Sequence, residues 1–303
     1  MEKTLIAYYT GSGSTGLVAQ EVRNQLISRG VSVEMHRLTE ATKEDLRRKA
    51  EACHDLILIY AVHAFNAPSL VYEWLSALVE QPAVNGQRKK AMIISVSGGG
   101  EMLSNTACRV TAKRWLAKKG YCVVTEAMAV MPNNWMSPTP LEVSKALIQI
   151  LPQKVTQWLG AYIQNQPNPV LPTTLVDRLV TALGRLEVKG AAQFGKRIQV
   201  SEACNECGWC ESHCPASNIR LVKSQGSDAS RPEFGKACDF CLGCIYGCPQ
   251  KALTPGKFKF AVIPTGYPLA AYQQISEKSL TDAELKTLLK GRSWSGVRRY
   301  LEV

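Results

Sequence analysis

Eight of the eleven cysteines of this 303-residue chain fall in two copies of one spaced run, and that pattern constrains the fold more than any other feature. The first copy is Cys204-x-x-Cys207-x-x-Cys210-x-x-x-Cys214-Pro215, and the second is Cys238-x-x-Cys241-x-x-Cys244-x-x-x-Cys248-Pro249, displaced by 34 residues. Three thiolates at this spacing wrap one iron–sulfur cube, while the fourth, followed by proline, reaches the neighbouring one. Crossed ligation assigns one [4Fe–4S] cluster to Cys204, Cys207, Cys210 and Cys248, and the other to Cys238, Cys241, Cys244 and Cys214. A disulfide framework suits a small secreted domain, whereas this chain is long and is read as lacking a signal peptide. Zinc takes two CxxC pairs or mixed Cys/His sets, and two tandem runs ending in Cys-Pro are poor zinc spacing.

Around these ligands, residues 195–262 resemble a bacterial two-cluster ferredoxin. The likeness extends to Ala216-Ser217-Asn218-Ile219 after the first run and Lys251-Ala252-Leu253 after the second. The remaining chain is long enough for a larger fold with its own core. Cys53, Cys108 and Cys122 lack ligand spacing and read as small buried apolar side chains. No apolar run approaches a membrane span, and a soluble cytoplasmic protein is expected.

Five apolar, β-rich runs alternate with helix-length segments. The runs are Thr4–Tyr9, Val31–Leu38, Asp55–Val62, Lys90–Ser97 and Tyr121–Val130; the helical stretches are about 15–29, 41–52, 68–80, 102–119 and 141–164. This alternation predicts an α/β fold, a doubly wound five-stranded parallel sheet with ligands beyond the carboxyl ends of its strands. The first strand runs into Thr10-Gly11-Ser12-Gly13-Ser14-Thr15-Gly16, where glycines and hydroxyls let backbone N–H groups close around a phosphate at a helix N-terminus. It lacks the Gly-Lys-Ser/Thr of a Walker loop. Gly11, Gly13 and Gly16 have the spacing of a dinucleotide fingerprint, but only Glu40 offers an acidic residue after the next strand.

Two later loops add to this. The third strand ends in Ala61-Val62-His63-Ala64-Phe65-Asn66, and the fourth in Ser97-Gly98-Gly99-Gly100. With the phosphate-type loop at Thr10, Ser12, Gly13, Ser14 and Thr15, these segments make residues 1–165 resemble flavodoxin. The resemblance implies FMN, held by the first loop and flanked by the other two. It departs from the family in its aromatic walls: the fourth-strand loop offers glycines, and Phe65 is the one ring in the third-strand loop. After strand five, Asn134 and Trp135 are further candidates, Trp135 as a flavin wall or as a buried hinge residue. His63 is read either as a hydrogen-bond partner of the flavin ring or as a structural loop position. The whole chain looks like a fused flavodoxin–ferredoxin electron carrier.

Residues 166–194 read as linker and bridging helix, with Pro167, Pro169 and Pro172 followed by Leu175, Leu179, Val180, Leu183 and Leu186 at helical spacing, a stripe expected to pack between domains. Residues 263–303 form a C-terminal extension in which Thr281-Asp282-Ala283-Glu284 predicts a capping box; Trp294, Arg298, Arg299 and Tyr300 are expected to dock on the protein body. His213, beside a cluster ligand, reads as an outer or surface residue.

The formal charge is +11; two ligated clusters and a flavin phosphate, at about −2 each, would reduce it to roughly +5. The basic blocks Arg47-Arg48-Lys49, Arg88-Lys89-Lys90, Lys118-Lys119 and Arg298-Arg299 read as solvated surface or as docking sites for an acidic redox partner. No nucleic-acid motif and no nucleophile–base triad is present. Three functions follow: an electron carrier joining FMN to two clusters and to an unidentified redox enzyme, an FMN-dependent reductase fed by the clusters, or a ferredoxin fused to a flavin-free docking fold. The first is preferred, so that an electron carrier is expected over a substrate-converting enzyme.

Overall fold

A computed structural model describes residues 3–83, 86–102, 105–184, 186–223, 229–274 and 280–303. Its N-terminal half is built on β1 (Lys3–Tyr9), β2 (Ser32–Arg37), β3 (Asp55–Ala61), β4 (Lys89–Ser97) and β5 (Tyr121–Val130). All pair in parallel, in the order β2-β1-β3-β4-β5, so the sheet reverses its winding beside β1. This is the doubly wound arrangement the alternating runs predict, in the strand order of a flavodoxin-like fold, and it opens a crevice at the strand C-termini.

Both faces are buried because successive side chains point to opposite sides. Ile6, Ile57, Ile59, Met92 and Ile94 meet α1 (Ser14–Ser28), α5 (Leu141–Gln149) and α6 (Leu151–Ile163) through Val18, Val22, Leu147 and Val155. Leu5, Leu56, Leu58, Ala91 and Ile93 meet α2 (Lys43–Ala52), α3 (Ser69–Ala77) and α4 (Val110–Lys118) through Leu46, Val71, Trp74 and Leu116. The segment expected to be one helix over 141–164 is two, the second with proline in its first turn, where a missing N–H costs nothing. A 3₁₀ turn, Thr106–Arg109, precedes α4.

The proline-rich linker is pinned along the edge strand β5. Thr125 Oγ1 donates to the Gln166 carbonyl at 3.0 Å, Asn168 Nδ2 donates to the Glu126 carbonyl at 3.0 Å, and Leu171 N donates to Glu101 Oε2 at 3.0 Å. Glu101 also pairs at 2.9 Å with Arg109, which is 2 % exposed. These contacts cover an edge that would otherwise present unpaired backbone groups.

The linker enters α7 (Leu175–Gly184) and α8 (Glu187–Gly195), and here an expectation fails. The stripe does not pack between domains: Leu175 is 83 %, Leu179 62 %, Leu183 58 % and Leu186 63 % exposed. The opposite, polar face of α7 is the buried one. Asp177 accepts from Thr174 N and Oγ1, and Asn66 Nδ2 donates to the Thr181 carbonyl at 2.8 Å, so hydrogen bonds rather than apolar area seat this helix. A second correction concerns Cys122. Cys53 and Cys108 are buried, but Cys122 is exposed, near the start of the edge strand.

The cysteine-rich unit holds two antiparallel pairs, β6 (Gln199–Val200) with β9 (Leu253–Thr254), and β7 (Ile219–Lys223) with β8 (Ser230–Phe234). Short helices α9 (Trp209–His213) and α10 (Gly243–Gly247) each begin one residue before the third cysteine of a run, Cys210 and Cys244. Phe194, Ile198, Leu242 and Leu253 form its small core. The extension then returns to the larger unit through α11 (Leu269–Tyr272), α12 (Asp282–Leu288) and α13 (Ser295–Leu301). Thr281 and Glu284 form the expected capping box of α12. Leu285, Leu289, Val297, Tyr300 and Leu301 are buried in the first sheet core, so the tail docks as an integral layer.

Candidate functional site

The loops after β1, β3, β4 and β5 converge on a cleft of about 430 Å³ at the carboxyl edge of the sheet. Of the residues the sequence nominates, Thr10, Gly11, Ser12, Ser14, Thr15, Ala61, Val62, His63, Ala64, Phe65, Ser97, Gly98, Gly99, Asn134 and Trp135 line it. Gly13, Asn66 and Gly100 stand behind the wall. Gly13 is the N-cap of α1 at φ 103°, a backbone conformation that favours glycine, and its N–H donates to Thr10 Oγ1 at 3.1 Å. Asn66 is committed to α7, and Gly100 packs against the start of α13, where a Cβ would lie 2.8 Å from the Gly296 carbonyl carbon.

Several wall residues lie outside the sequence expectation. Val96, Met102, Asn105, Met131, Pro132 and Asn133 complete the larger unit's share, while Phe240 and Cys241 come from the second cysteine run. Phe240 meets Trp135 edge-on at 6.0 Å and stacks on Phe194 at 4.1 Å. The extension contributes Tyr267, whose hydroxyl donates to the Pro132 carbonyl at 2.8 Å and bonds Ser14 Oγ. With the phenolic proton spent on Pro132, the Ser14 hydroxyl is the donor to Tyr267.

The chemistry of this wall suits a planar ligand with a phosphate tail. Ser14 and Thr15 open α1, so their N–H groups have no intrahelical acceptor and face a positive helix end. Thr10 Oγ1 accepts from Gly13, and Ser12 Oγ accepts from Asn134 Nδ2 at 2.8 Å, which leaves both hydroxyl protons available to an anion. His63 Nδ1 is buried without a hydrogen-bond partner in the protein. Burial lowers the His63 pKa to about 4, so the imidazole is neutral at pH 7.

The eight cysteines of the runs line two further cavities. Cys214, Cys238, Cys241 and Cys244 share one, with Phe194, Ile198, Ile219 and Leu242; Cys204, Cys207, Cys210 and Cys248 share the other, with Trp209, Leu221 and Leu253. Among the described residues, no three His, Cys, Asp or Glu side chains converge as they would on a single ion. Backbone amides approach the sulfurs: Asn218 N to Cys214 Sγ at 3.3 Å, Ala252 N to Cys248 Sγ at 3.3 Å, and Phe240 N to Cys238 Sγ at 3.4 Å. Burial pushes the Cys238 thiol up to about 12, and those of Cys241 and Cys210 to about 11. A metal centre bound here would offset that burial by holding the cysteines as thiolates, and the four-sulfur donor set of each cavity fits an iron–sulfur cluster.

The junction between the two units is narrow and closely fitted. A Cβ on Gly11 would overlap the Cys241 side chain and sit 2.9 Å from its Sγ. Arg37 donates to the Thr10 carbonyl at 2.9 Å and the His213 carbonyl at 3.0 Å, Glu40 N donates to the Pro215 carbonyl at 2.7 Å, and the Tyr9 hydroxyl donates to Asp239 Oδ2 at 3.1 Å. His213 itself is exposed and stacks on Trp209 at 4.1 Å, in keeping with a surface role.

No protein-family profile matches the chain. A ferredoxin-type protein, NapF of Haemophilus influenzae, is 34% identical over 71 residues, which is 22% of this chain and 40% of that protein. The chain therefore spans well under half the length of this curated relative. Similar solved structures include a flavodoxin of Streptococcus pneumoniae TIGR4 (16% identity, 52% of this chain and 98% of that one, TM-score 0.36). A general stress protein 14 of Treponema denticola in complex with FMN (14%, 54% and 99%, TM-score 0.38) and oxidised flavodoxin 2 of Bacillus cereus (16%, 53% and 99%, TM-score 0.38) are others. The chain thus joins a doubly wound five-stranded parallel sheet to a cysteine-rich unit, and 71 of its residues are similar to a ferredoxin-type protein. Among the described residues, no helix is long and apolar enough to cross a membrane.

Proposed function

We propose that this chain is an electron carrier that binds FMN in the cleft and one [4Fe–4S] cluster in each four-cysteine cavity, and exchanges single electrons with a redox enzyme. The observation that carries the reading is Cys241, a residue that lines both the cleft and the Cys214–Cys238–Cys241–Cys244 cavity. When bound, flavin takes or gives one or two electrons and each cluster one.

The protein's own residues do the rest. Thr10, Ser12 and Thr15, with the first N–H groups of α1, hold the phosphate end, while Ser14 is fixed by Tyr267. His63 presents a neutral imidazole to the ring region. Arg37, Glu40 and Asp239 lock the cysteine unit against the cleft, so no diffusional encounter separates the sites. The N–H groups of Asn218, Phe240 and Ala252 stabilise negative sulfur and raise the tendency of a cluster to accept an electron. The far cavity includes the exposed Cys207, a suitable exit toward a partner, and the net positive charge favours an acidic docking face on that partner.

A substrate-reducing site would use a proton donor beside the ring. His63, held near a pKa of about 4, supplies none at neutral pH, which favours the carrier. The test is an anaerobic reductive titration followed by absorption and EPR, with flavin and iron quantified on the same sample. One FMN and about eight irons per chain are expected for two cubanes. Eight irons without flavin would reduce the protein to a ferredoxin with a docking fold, and about four would remove one cluster.

A further inference from the structure

The two cysteine runs are structural repeats, and they differ where one of them meets the cleft. Residues 34 apart share their backbone: Glu206 at φ 61° and Phe240 at φ 54°, Gly208 at 71° and Leu242 at 60°, Ser217 at 47° and Lys251 at 50°. The amide-to-sulfur bonds Asn218–Cys214 and Ala252–Cys248 are likewise equivalent, both at 3.3 Å. The local geometry is thus common to both copies, and the side chains hung on it decide what each copy does.

At four equivalent positions the second copy carries a residue that engages the flavodoxin-like unit, and the first carries one of a different kind. Asp239, opposite Asn205, accepts from Tyr9. Gly243, opposite Trp209, leaves room for the Gly11 carbonyl, which would lie 2.6 Å from a Cβ there. Tyr246, opposite Ser212, donates to the Asn134 carbonyl at 2.7 Å. Phe240, opposite the exposed Glu206, lines the cleft itself. Non-glycine residues populate this left-handed backbone sparsely. In the first copy the position holds an exposed carboxylate that accepts from Ser230 N at 2.8 Å, in the second a half-buried ring propped from behind by Phe194 at 4.1 Å and flanked by Trp135.

We propose that the second repeat is the flavin-facing copy, and that Phe240 is the aromatic wall of the flavin site that the glycine-only loop Gly98–Gly100 does not provide. The flavin site is then shared between the two units: its phosphate end belongs to the β1 loop, and its ring wall to the cysteine unit. This rests on the reading of the cleft as an FMN site. A flat conjugated ring system is the ligand class such a wall favours, because stacking on a supported ring adds to simple burial.

The experiment strips FMN under anaerobic conditions, leaves the clusters in place, and titrates FMN back while following quenching of flavin fluorescence. Phe240→Leu keeps apolar volume against Phe194 and removes the ring; Phe240→Tyr restores a ring; Glu206→Ala changes the same position of the other repeat. We expect Phe240→Leu to weaken FMN at least tenfold, Phe240→Tyr to stay within about threefold of the parent protein, and Glu206→Ala to leave affinity unchanged. Iron content read on each sample shows that the cysteine unit is intact. Parent-like affinity in Phe240→Leu, or an equal loss in Glu206→Ala, overturns the assignment. A parent protein that takes up no FMN overturns the cleft reading itself, a separate result seen before any variant is compared.

Discussion

Gly11 of the β1 loop and Cys241 of the second cysteine run touch across the junction between the two units, with no space for even a methyl group between them. Gly11 lines the cleft and Cys241 lines both the cleft and the cavity of Cys214, Cys238 and Cys244, so their contact joins the two cavities. The same contact requires glycine at 243, where the Gly11 carbonyl approaches.

Replacing Gly11 by alanine therefore strains both sites. We expect loss of flavin together with loss or lability of the cluster beside Cys241, while the cluster of Cys204, Cys207, Cys210 and Cys248 persists. Iron analysis near four per chain with no flavin is the expected outcome. Unchanged flavin and iron would contradict the closeness of this contact.

Crossed ligation predicts that Cys248→Ser and Cys214→Ser damage different centres. Cys248 shares its cavity with Cys204, Cys207 and Cys210, and Cys214 with Cys238, Cys241 and Cys244. EPR of the reduced variants should retain complementary signals. If each serine disturbed the centre of its own run instead, the pairing of cavities would be wrong.

Tyr267→Phe removes a buried hydroxyl that joins Ser14 and the Pro132 carbonyl. Leaving these groups unsatisfied should destabilise the protein by about 1–3 kcal/mol. Chemical denaturation of holoprotein and variant measures it directly, and a change under ~0.5 kcal/mol would mean that water replaces the phenol.

His63 makes stability fall with acid. The unfolded imidazole binds a proton near 6.5 and the folded one only near 4. Between these values the unfolded chain holds the extra proton, so stability declines as pH drops from about 6.5 toward 4 and the added loss levels off below. His63→Phe should flatten that part of the profile in denaturation measured across the window. A parallel profile would show that His63 protonates freely in the folded state.

The exposed stripe of α7 gives a contrasting expectation. Leu183→Ser, at a residue 58 % exposed, should alter stability by less than about 0.5 kcal/mol. A loss of 2 kcal/mol or more, of the kind seen for core truncations, would mean that this side chain packs inside the protein in solution.

Much of this molecule is legible in its sequence because the relevant signals are local. Alternating apolar runs and helix-length spacers give the parallel sheet, the glycine–hydroxyl loop after β1 gives one wall of the cleft, and the capping box at Thr281 and Glu284 gives the start of α12. The α7 stripe misled because helical spacing reports a face without saying which face is buried. Here the hydrogen-bonded polar side of Asp177 and Thr181 is the one that docks. Phe240 is not legible as a cleft residue for a related reason: its place between two cysteines of one run says nothing of its neighbours Trp135 and Phe194, which lie far from it in the chain.

The doubly wound sheet, the glycine–hydroxyl loop and the two cysteine repeats are readable in the sequence, since each is signalled by short runs of residues within a few positions of one another. Which repeat faces the cleft, the return of Tyr267 from the C-terminal extension to Ser14, and the abutment of Gly11 on Cys241 emerge with the folded structure. Those contacts join residues separated by more than one hundred positions. They arise from the shape fit of two folded surfaces, a property that no local spacing encodes.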